Sequence, residues 1–352
     1  MVERVSSMDH LMELPSIVLM GEGILDNSDL ISKTFKMGRR GLVVTGPHVW
    51  PLFGEKLSNG LGGVDLEIEM VEEPTVEVVE TLTANYIGKG INFIVGLGGG
   101  KNMDVAKVVS YRLSVPYISV PTNSSQDGIA SPMASLRGAD KPYSLKVRPP
   151  VAVLADTDVI RSAPKDQIIS GVGELMAKVT AVRDWRLARR DMGEYYGDYA
   201  ARLALTSANH AMHNAAKINQ LNEEGIRGLV EALISAGVAA GIAGSSRPCS
   251  GSEHLISHAL GEIAPQKGVH GEKVGLAAVL ISYFYGMNWR LLIEKLKVAG
   301  LPIKFLDMGI TKDELIAAVV RAPDLRPDRY TILHKLRPDR SRIAASIEAV
   351  DI

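Results

Sequence analysis

Residues 94–107 read IVGLGGGKNMDVAK, in which an apolar run leads into three consecutive glycines and then into a stretch with helical spacing. A strand, a glycine turn and a helix start together place free backbone N–H groups and the positive end of a helix dipole at one point. Glycine suits this turn because a side chain would keep the backbone away from a ligand. The pattern predicts a strand–turn–helix unit that binds a pyrophosphate, with a tight turn that binds nothing as the alternative.

Short β-branched runs alternate with helix-like stretches through the first 160 or so residues, which is typical of a parallel sheet with crossover helices. The candidate strands are residues 16–20, 41–45, 65–70, 92–96, 117–121 and 151–155. From about Pro164 onward, long stretches rich in Ala, Leu, Ile and Glu show helical spacing. We therefore predict an α/β nucleotide-binding domain over residues 1–160 and an all-α domain over residues 161–352.

Residues 132–147 interrupt the strand–helix alternation. Two runs of alternating polar and apolar residues flank the turn-forming sequence Arg137-Gly138-Ala139-Asp140-Lys141-Pro142. This arrangement predicts a β-hairpin inserted after a sheet strand.

Composition excludes several classes of protein. Among the 352 residues, Lys and Arg total 39 against 40 Asp and Glu, so we expect no nucleic acid partner. The single cysteine, Cys249, excludes an internal disulfide and a site with several thiolates. A bound metal would therefore need histidine and carboxylate ligands.

The start of the chain carries charged or polar side chains where a signal peptide would need an apolar stretch, namely Glu3, Arg4, Asp9 and His10. No later run of apolar residues approaches the roughly 20 that span a membrane. We expect a cytoplasmic protein without membrane insertion.

Histidines are concentrated in one part of the helical half. Three of the eight lie between residues 254 and 270. His254 and His258 are four residues apart, so on a helix they project from one face. Such a pair alone is more often an ordinary feature of a helix than a site, but the clustering with His270 fits zinc with three protein ligands and an open position.

The run Gly-Gly-Gly-Lys-x-x-Asp-x-x-Lys at residues 98–107, followed by a strand ending in Pro121-Thr122, resembles the superfamily of iron-containing alcohol dehydrogenases, glycerol dehydrogenases and dehydroquinate synthases. The resemblance spans nearly the whole chain. It implies a Rossmann-like N-terminal domain, a helical C-terminal domain and a metal in the cleft between them, where the active site would lie.

Two further runs resemble one family within that superfamily, the archaeal sn-glycerol-1-phosphate dehydrogenases. Residues 121–132 read PTNSSQDGIASP, and an Asp-Gly-x-Ala-Ser-Pro run is typical of that family. Residues 329–333, RYTIL, are also similar to a run in those proteins.

The family resemblance implies which residues bind the dinucleotide. It assigns the pyrophosphate to Gly99, Gly100, Lys101, Asn102, Met103 and Asp104, and the nicotinamide side to Thr122, Asn123, Ser124, Ser125 and Ser131. Hydroxyl and amide groups just past a strand's carboxyl end do lie in the crevice where open α/β sheets bind ligands. Without the resemblance, the serine-rich loop would be interpreted as a strand end and a turn cap.

The resemblance also implies the metal and substrate residues. Glu174, His254 and His270 would hold zinc, while Asp127 and His258 would bind substrate hydroxyls and pass a proton, with Glu174 also beside the substrate. Position 174 departs from the family, which usually has aspartate there. The acidic neighbours Glu253 and Glu272 are alternative ligands, but we expect them to face solvent or to support the ligands.

The resemblance implies the reversible reduction of dihydroxyacetone phosphate to sn-glycerol 1-phosphate, the backbone of archaeal membrane phospholipids. It also implies that NADH or NADPH is the reductant. Alternatives are a glycerol dehydrogenase acting on unphosphorylated polyols, a dehydroquinate synthase-like lyase and a non-enzymatic binding protein. We also expect a homo-oligomer.

Two details of ligand choice follow from single residues. An NAD-selective site generally has a carboxylate at the end of the second strand, but this chain has Gly46, so we expect both NADH and NADPH to be used. Lys217, Arg247 and Lys267 are cationic candidates for binding the substrate phosphate, although a solvated surface is the expected place for each.

Overall fold

The computed structural model describes residues 11–27, 31, 38–138 and 142–352. The N-terminal residues Glu3, Arg4, Asp9 and His10 and the turn residues Ala139, Asp140 and Lys141 lie outside this part of the chain.

Six parallel strands form one sheet in the first half of the chain. They are β1 Ile17–Gly21, β2 Arg40–Thr45, β3 Asp65–Met70, β4 Phe93–Gly98, β5 Tyr117–Pro121 and, after a hairpin, β8 Ala152–Asp156. Their order across the sheet is β1-β8-β5-β4-β2-β3. Strands β4, β5 and β8 are buried along their whole length, because helices cover both faces of the sheet. The parallel sheet predicted from the sequence is confirmed, with strand bounds shifted by no more than two residues.

Three helices connect the early strands: α1 Trp50–Leu61, α2 Val76–Tyr86 and α3 Gly100–Leu113. Helix α3 begins directly after β4, so the glycine run forms the turn between a buried strand and a helix, as the sequence predicts. Thr75 begins α2 with a side-chain cap, accepting a hydrogen bond from the Val78 N–H at 3.2 Å.

The predicted hairpin is confirmed. Strands β6 Met133–Arg137 and β7 Pro142–Lys146 pair in an antiparallel two-stranded sheet of their own. The backbone N–H of Ser135 donates to Asp104 at 3.0 Å, so the first hairpin strand is tied to α3. The hairpin therefore lies against α3, the helix that follows the glycine turn.

The rest of the chain is helical. Its helices are α4 Thr157–Arg161, α5 Lys165–Met176, α6 Lys178–Met192, α7 Asp198–Asn219, α8 Glu223–Ala243, α9 Ser252–Ile263, α10 His270–Phe284, α11 Trp289–Ala299, α12 Lys312–Leu325, α13 Ile332–Leu336 and α14 Arg340–Val350. An extensive apolar core joins these helices and reaches Met103 and Val153 of the sheet half. The α/β half and all-α half predicted from the sequence are thus confirmed as fold classes, while the domain boundary at residue 160 stays a prediction.

Helix α8 is long and apolar enough to cross a membrane by length and composition alone, with a mean hydropathy of 1.6 over its best window. The sequence analysis expected no such segment. Of that window, 67% is buried inside the protein, and its apolar face packs in the helical core. Its composition is that of a core helix.

Candidate active site

Three side chains from three helices converge at one point. Glu174 of α5, His254 of α9 and His270 of α10 present ligand atoms that all lie within 4.8 Å of one another. Each Nε2 atom faces a different carboxylate oxygen: His254 Nε2 is 3.3 Å from Glu174 Oε1, and His270 Nε2 is 3.3 Å from Oε2. These are the three residues predicted as metal ligands, and the fold brings them together.

Glycine allows the close approach of the two helices that carry Glu174 and His270. A Cβ atom at Gly173 would lie 2.2 Å from the Gly271 carbonyl oxygen, and one at Gly271 would lie 2.0 Å from the Ser170 carbonyl oxygen. Both distances are far below van der Waals contact. The α5–α10 interface therefore needs glycine at both positions in order to place the ligands on either side of it.

Glu253 orients the His254 ring. Its Oε1 atom is 2.9 Å from His254 Nδ1, and its Oε2 atom accepts a hydrogen bond from the Thr180 hydroxyl at 2.8 Å. A carboxylate on Nδ1 leaves Nε2 free to face the centre of the site. Glu253 is fully buried, so it does not face solvent and instead supports the ligand His254. Glu272 accepts a hydrogen bond from the Val269 N–H and so caps the start of α10.

A second buried carboxylate fixes the start of α9. Asp184 accepts hydrogen bonds from the Ser252 N–H at 2.7 Å, from the Ile332 N–H at 2.7 Å and from the Tyr285 hydroxyl at 2.6 Å. Burial, together with the negative charge of Glu253, raises its pKa to about 6. This side chain joins α6, α9, α10 and α13 behind the histidines.

Lys178 is a site residue that the sequence analysis missed. It is fully buried, and its Nζ atom is 2.8 Å from Asp127 Oδ2 and forms an ion pair with Glu174. Burial alone would lower its pKa, but the two carboxylates outweigh burial and raise it. Its position four residues after Glu174 on a helix was the available sequence signal.

The residues at this point fit a divalent metal. Burial alone would raise the pKa of Glu174, but the charges of Lys178 and His254 dominate and hold it well below its usual value. Among the described residues, Oε2 of Glu174 has no aligned hydrogen-bond partner, although it is buried. Two imidazoles and one carboxylate form the donor set of an open metal site, and this orphaned oxygen gives the set an unused ligand atom.

A cavity of about 250 Å³ opens beside the metal-ligand cluster. Both halves of the chain line it: the sheet half contributes Asp104, Ser131 and the first hairpin strand, and the helical half contributes the three clustered ligands and His258. The remaining lining residues include Gln126, Asp127, Ser246, Ser250, Arg326 and Arg329. The cavity therefore lies in the cleft that the sequence analysis predicted as the active site.

Asp127 and His258, predicted to contact substrate, both line this cavity. The His258 ring centroid is 6.2 Å from that of His270, and His258 lies one helical turn from His254. Burial, together with the positive charges of His270 and His254, lowers the pKa of His258 to about 3. The ring is therefore neutral at physiological pH and can both donate and accept a hydrogen bond.

The glycine turn brings backbone close to a side-chain wall. Gly98 has a φ of +148°, and a Cβ on Gly100 would lie 1.9 Å from Gln126 Nε2. Asn102 is buried and donates to the Val71 carbonyl at 3.1 Å, which fixes the turn against the end of β3. The turn thus presents the first N–H groups of α3 at the carboxyl edge of the sheet.

Two residues of the predicted pyrophosphate set direct their side chains away from the turn. Lys101 is exposed and pairs with Glu73 at 2.8 Å, while Met103 is fully buried and its sulfur accepts from the Ser119 hydroxyl at 3.3 Å. In this arrangement a contact between Lys101 and a dinucleotide would come from its backbone, whereas the Met103 N–H already donates to the Gly99 carbonyl at 3.1 Å.

The loop after β5 contacts helix α5. Asn123 Nδ2 donates to Gln167 at 2.9 Å, and the Ser124 hydroxyl donates to the Ile168 carbonyl at 3.4 Å. The other members of the predicted nicotinamide set make local bonds: Thr122 N–H to Gly98, Ser125 Oγ to Asn123, and Met133 N–H to Ser131 Oγ.

The three cations considered for the substrate phosphate are engaged elsewhere. Lys217 pairs with Glu224, and Lys267 pairs with Glu314 at 2.7 Å. Arg247 was expected on a solvated surface, but it is buried, and its Nε donates to Glu194 at 2.7 Å. As far as described residues form the cavity wall, none of the three belongs to it.

The chain is similar to known proteins over nearly its whole length. The family model described as iron-containing alcohol dehydrogenase matches residues 20–164. Glycerol-1-phosphate dehydrogenase [NAD(P)+] of Hyperthermus butylicus is 45% identical, with 92% of this chain and 93% of that protein covered. The protein of the same name from Pyrococcus horikoshii is 42% identical over 93% of this chain and 94% of that protein.

Solved structures show the same fold at lower identity. A probable glycerol dehydrogenase from Sinorhizobium meliloti has a TM-score of 0.78 and 21% identity, with 97% of this chain and 98% of that chain covered. Glycerol dehydrogenase from Schizosaccharomyces pombe has a TM-score of 0.78 and 23% identity, covering 97% and 90%. The solved structures show the shared fold, and the 42 to 45% identity of the first relatives over nearly the whole chain shows that this chain belongs to the glycerol-1-phosphate dehydrogenase family.

Proposed function

We propose that this protein is an sn-glycerol-1-phosphate dehydrogenase, which reversibly reduces dihydroxyacetone phosphate with NADH or NADPH. The observation that carries the proposal is one cavity lined by the Glu174, His254 and His270 cluster together with Asp127 and His258. The names of relatives 42 to 45% identical to the chain support the phosphorylated substrate over a free polyol.

Glu174, His254 and His270 would hold the metal, and zinc is the ion we propose. A divalent metal there supplies a Lewis acid that polarises the ketone oxygen and stabilises negative charge on it. The family carries iron in its descriptive name, so the identity of the metal requires a direct comparison of ions.

Asp127 and His258 would position the substrate hydroxyls. Lys178, whose Nζ lies 2.8 Å from Asp127 Oδ2, would hold that carboxylate in position to accept a hydrogen bond from a substrate hydroxyl. The neutral His258 ring can donate one hydrogen bond while accepting another, which suits relay of a proton to the product oxygen. Glu174 would lie beside the substrate as well as hold the metal.

The glycine turn would bind the dinucleotide. The free N–H groups at the start of α3, from Gly99 to Asn102, would donate to the pyrophosphate, with Met103 and Asp104 in the turn of helix that follows. Thr122, Asn123, Ser124, Ser125 and Ser131 would line the nicotinamide side. The nicotinamide supplies the hydride. The side chains of these residues would hold the nicotinamide ring against the cavity.

The test is an assay of metal-stripped protein after addition of zinc or ferrous iron. We expect turnover of dihydroxyacetone phosphate with NADH and with NADPH to return with zinc. Preference for glycerol and dihydroxyacetone would favour a glycerol dehydrogenase, and turnover of the seven-carbon phosphate substrate of dehydroquinate synthase would favour the lyase. No turnover of any of them, despite bound metal, would contradict an enzymatic function of this kind. Cytoplasmic location and homo-oligomeric state remain predictions from the sequence.

A further inference from the structure

Arg329 occupies an unusual position on the cavity wall. Only 7% of the residue is exposed, yet it lines the cavity. Its Nη1 donates to the Ser250 carbonyl at 2.7 Å, and its Nη2 donates to the Ser246 hydroxyl at 2.7 Å. A guanidinium has five N–H donors, so these two bonds leave three without a hydrogen-bond partner among the described residues.

Arg329 has no ion pair with a described carboxylate, whereas the nearby arginines Arg247 and Arg326 each have one. Arg247 pairs with Glu194, and Arg326 pairs with Asp328 at 2.9 Å. Within the described ranges, no carboxylate oxygen forms an ion pair with Arg329 at 4.0 Å or less. Burying an unpaired cation is costly unless an anion or a set of hydrogen bonds compensates it.

The surroundings of Arg329 suit a tetrahedral anion. Ser246 and Ser250 bond to it and also line the cavity, and Arg326 is a second arginine among the lining residues. The Ser246 hydroxyl accepts from Arg329, so its own hydrogen is free to point at another acceptor. By contrast, the carboxylates of Asp127 and Glu174, which also line the cavity, have a cation beside them, since Lys178 pairs with both.

We propose that Arg329, with Arg326 and the hydroxyls of Ser246 and Ser250, binds the phosphate monoester of the substrate. This proposal rests on the proposed function and assigns its phosphate subsite. Arginine suits this role because its planar donors match phosphate oxygens two at a time. The phosphate end of the substrate would then lie against these arginines while its hydroxyl end lies against the clustered histidines.

The test compares Arg329→Gln with the wild type on dihydroxyacetone phosphate and on dihydroxyacetone, using metal-loaded protein and saturating NADH. We expect kcat/KM for the phosphorylated ketone to fall at least about a hundredfold, because one member of a buried charge pair is lost. For the unphosphorylated ketone we expect a change of less than about threefold. Arg329→Lys should recover part of the loss. Arg326→Gln should lower the ratio of kcat/KM for the phosphorylated ketone to kcat/KM for the unphosphorylated ketone about tenfold.

Arg337→Gln is the matched control, because Arg337 pairs with Asp324 on the surface and does not line the cavity. It should leave both substrates unchanged. The subsite would be overturned if Arg329→Gln lowered kcat/KM equally for both substrates and Arg326→Gln left the ratio of the two kcat/KM values as in the wild type. That outcome would indicate a structural role for Arg329.

Binding of inorganic phosphate, measured by calorimetry on the metal-loaded protein, separates failure of this subsite from failure of the proposed function. If the wild type binds phosphate and Arg329→Gln or Arg326→Gln weakens that binding at least tenfold, the anion site stands even if dihydroxyacetone phosphate is not reduced. If both variants bind phosphate as the wild type does, or if the wild type does not bind it, the subsite is refuted even where the reductase activity is present.

Discussion

Substituting Gly173 by alanine should weaken metal binding without unfolding the protein. The new Cβ would lie 2.2 Å from the Gly271 carbonyl oxygen and 3.5 Å from the Gly275 Cα. An ordinary contact of this kind is about 3.5 Å, so helices α5 and α10 would have to separate by on the order of 1 Å. Both atoms met by the new methyl group belong to backbone and cannot rotate away.

Separation of the helices acts directly on the metal ligands. Glu174 follows the substituted residue on α5, and His270 precedes Gly271 on α10, so the 3.3 Å approach of His270 Nε2 to Glu174 Oε2 would lengthen. Metal–ligand distances tolerate only about 0.2 Å of change. We therefore expect the dissociation constant of the metal to rise at least about a hundredfold.

Stability is a poorer measure of the same change. Overpacking costs about 1 to 3 kcal/mol, while alanine gains about 1 kcal/mol over glycine inside a helix. The two effects partly cancel, so the free energy of unfolding of the metal-free protein should fall by no more than about 2 kcal/mol.

The assay is competition with a chelator of known affinity, read out by metal analysis of the protein. Gly261→Ala is the matched control, since the same substitution in helix α9 meets no atom within 4 Å. It should leave metal affinity unchanged. If Gly173→Ala binds metal as tightly as the control does, the close packing of α5 on α10 is not what holds the ligands together.

Three further comparisons, which use five substitutions, test other parts of the site. His270→Ala should lose bound metal and activity, whereas His258→Ala should retain metal and lose turnover; metal analysis showing the reverse would exchange their roles. Gly46→Asp should lower kcat/KM with NADPH at least tenfold relative to NADH, because the new carboxylate repels the 2′-phosphate. The side chain can be accommodated, since a Cβ at this position meets only contacts of 3.4 Å or more. An unchanged ratio of the two kcat/KM values in steady-state kinetics would place the adenosine ribose elsewhere. Asp184→Ala should lower the free energy of unfolding by about 4 kcal/mol, since two backbone N–H groups lose their acceptor, against about 1 kcal/mol for Tyr285→Phe; equal losses in urea denaturation would refute this ranking.

Local sequence patterns predicted the sheet half well because the signals there are local. A strand such as Tyr117–Pro121 is buried throughout and therefore apolar throughout, so its bounds are visible in the sequence. The hairpin of β6 and β7 was equally visible from its turn residues.

The supporting residues of the site were harder to predict because their roles depend on tertiary contacts. Lys178 looks like any helix lysine until the fold places it between Asp127 and Glu174, which are far apart in sequence. Arg329 lay within a run noted for its family resemblance, but its burial and its lack of an ion pair with a described carboxylate appear only in three dimensions. Glycines raise the same problem, since the close approach at Gly173 involves a helix almost a hundred residues later.

Helix α5 links the two predicted binding regions. At one end, Gln167 bonds to Asn123 in the loop after β5, and Gly171 passes so close to Ser124 that a Cβ would lie 2.0 Å from its carbonyl oxygen. At the other end, the same helix carries Glu174 of the metal-ligand cluster. Hydride transfer would need the nicotinamide and the substrate ketone in fixed relative positions. Since one helix contacts both regions, a shift of α5 against the sheet would change that distance, so we predict that the glycine contact at Ser124 has a geometric function in catalysis as well as a packing one.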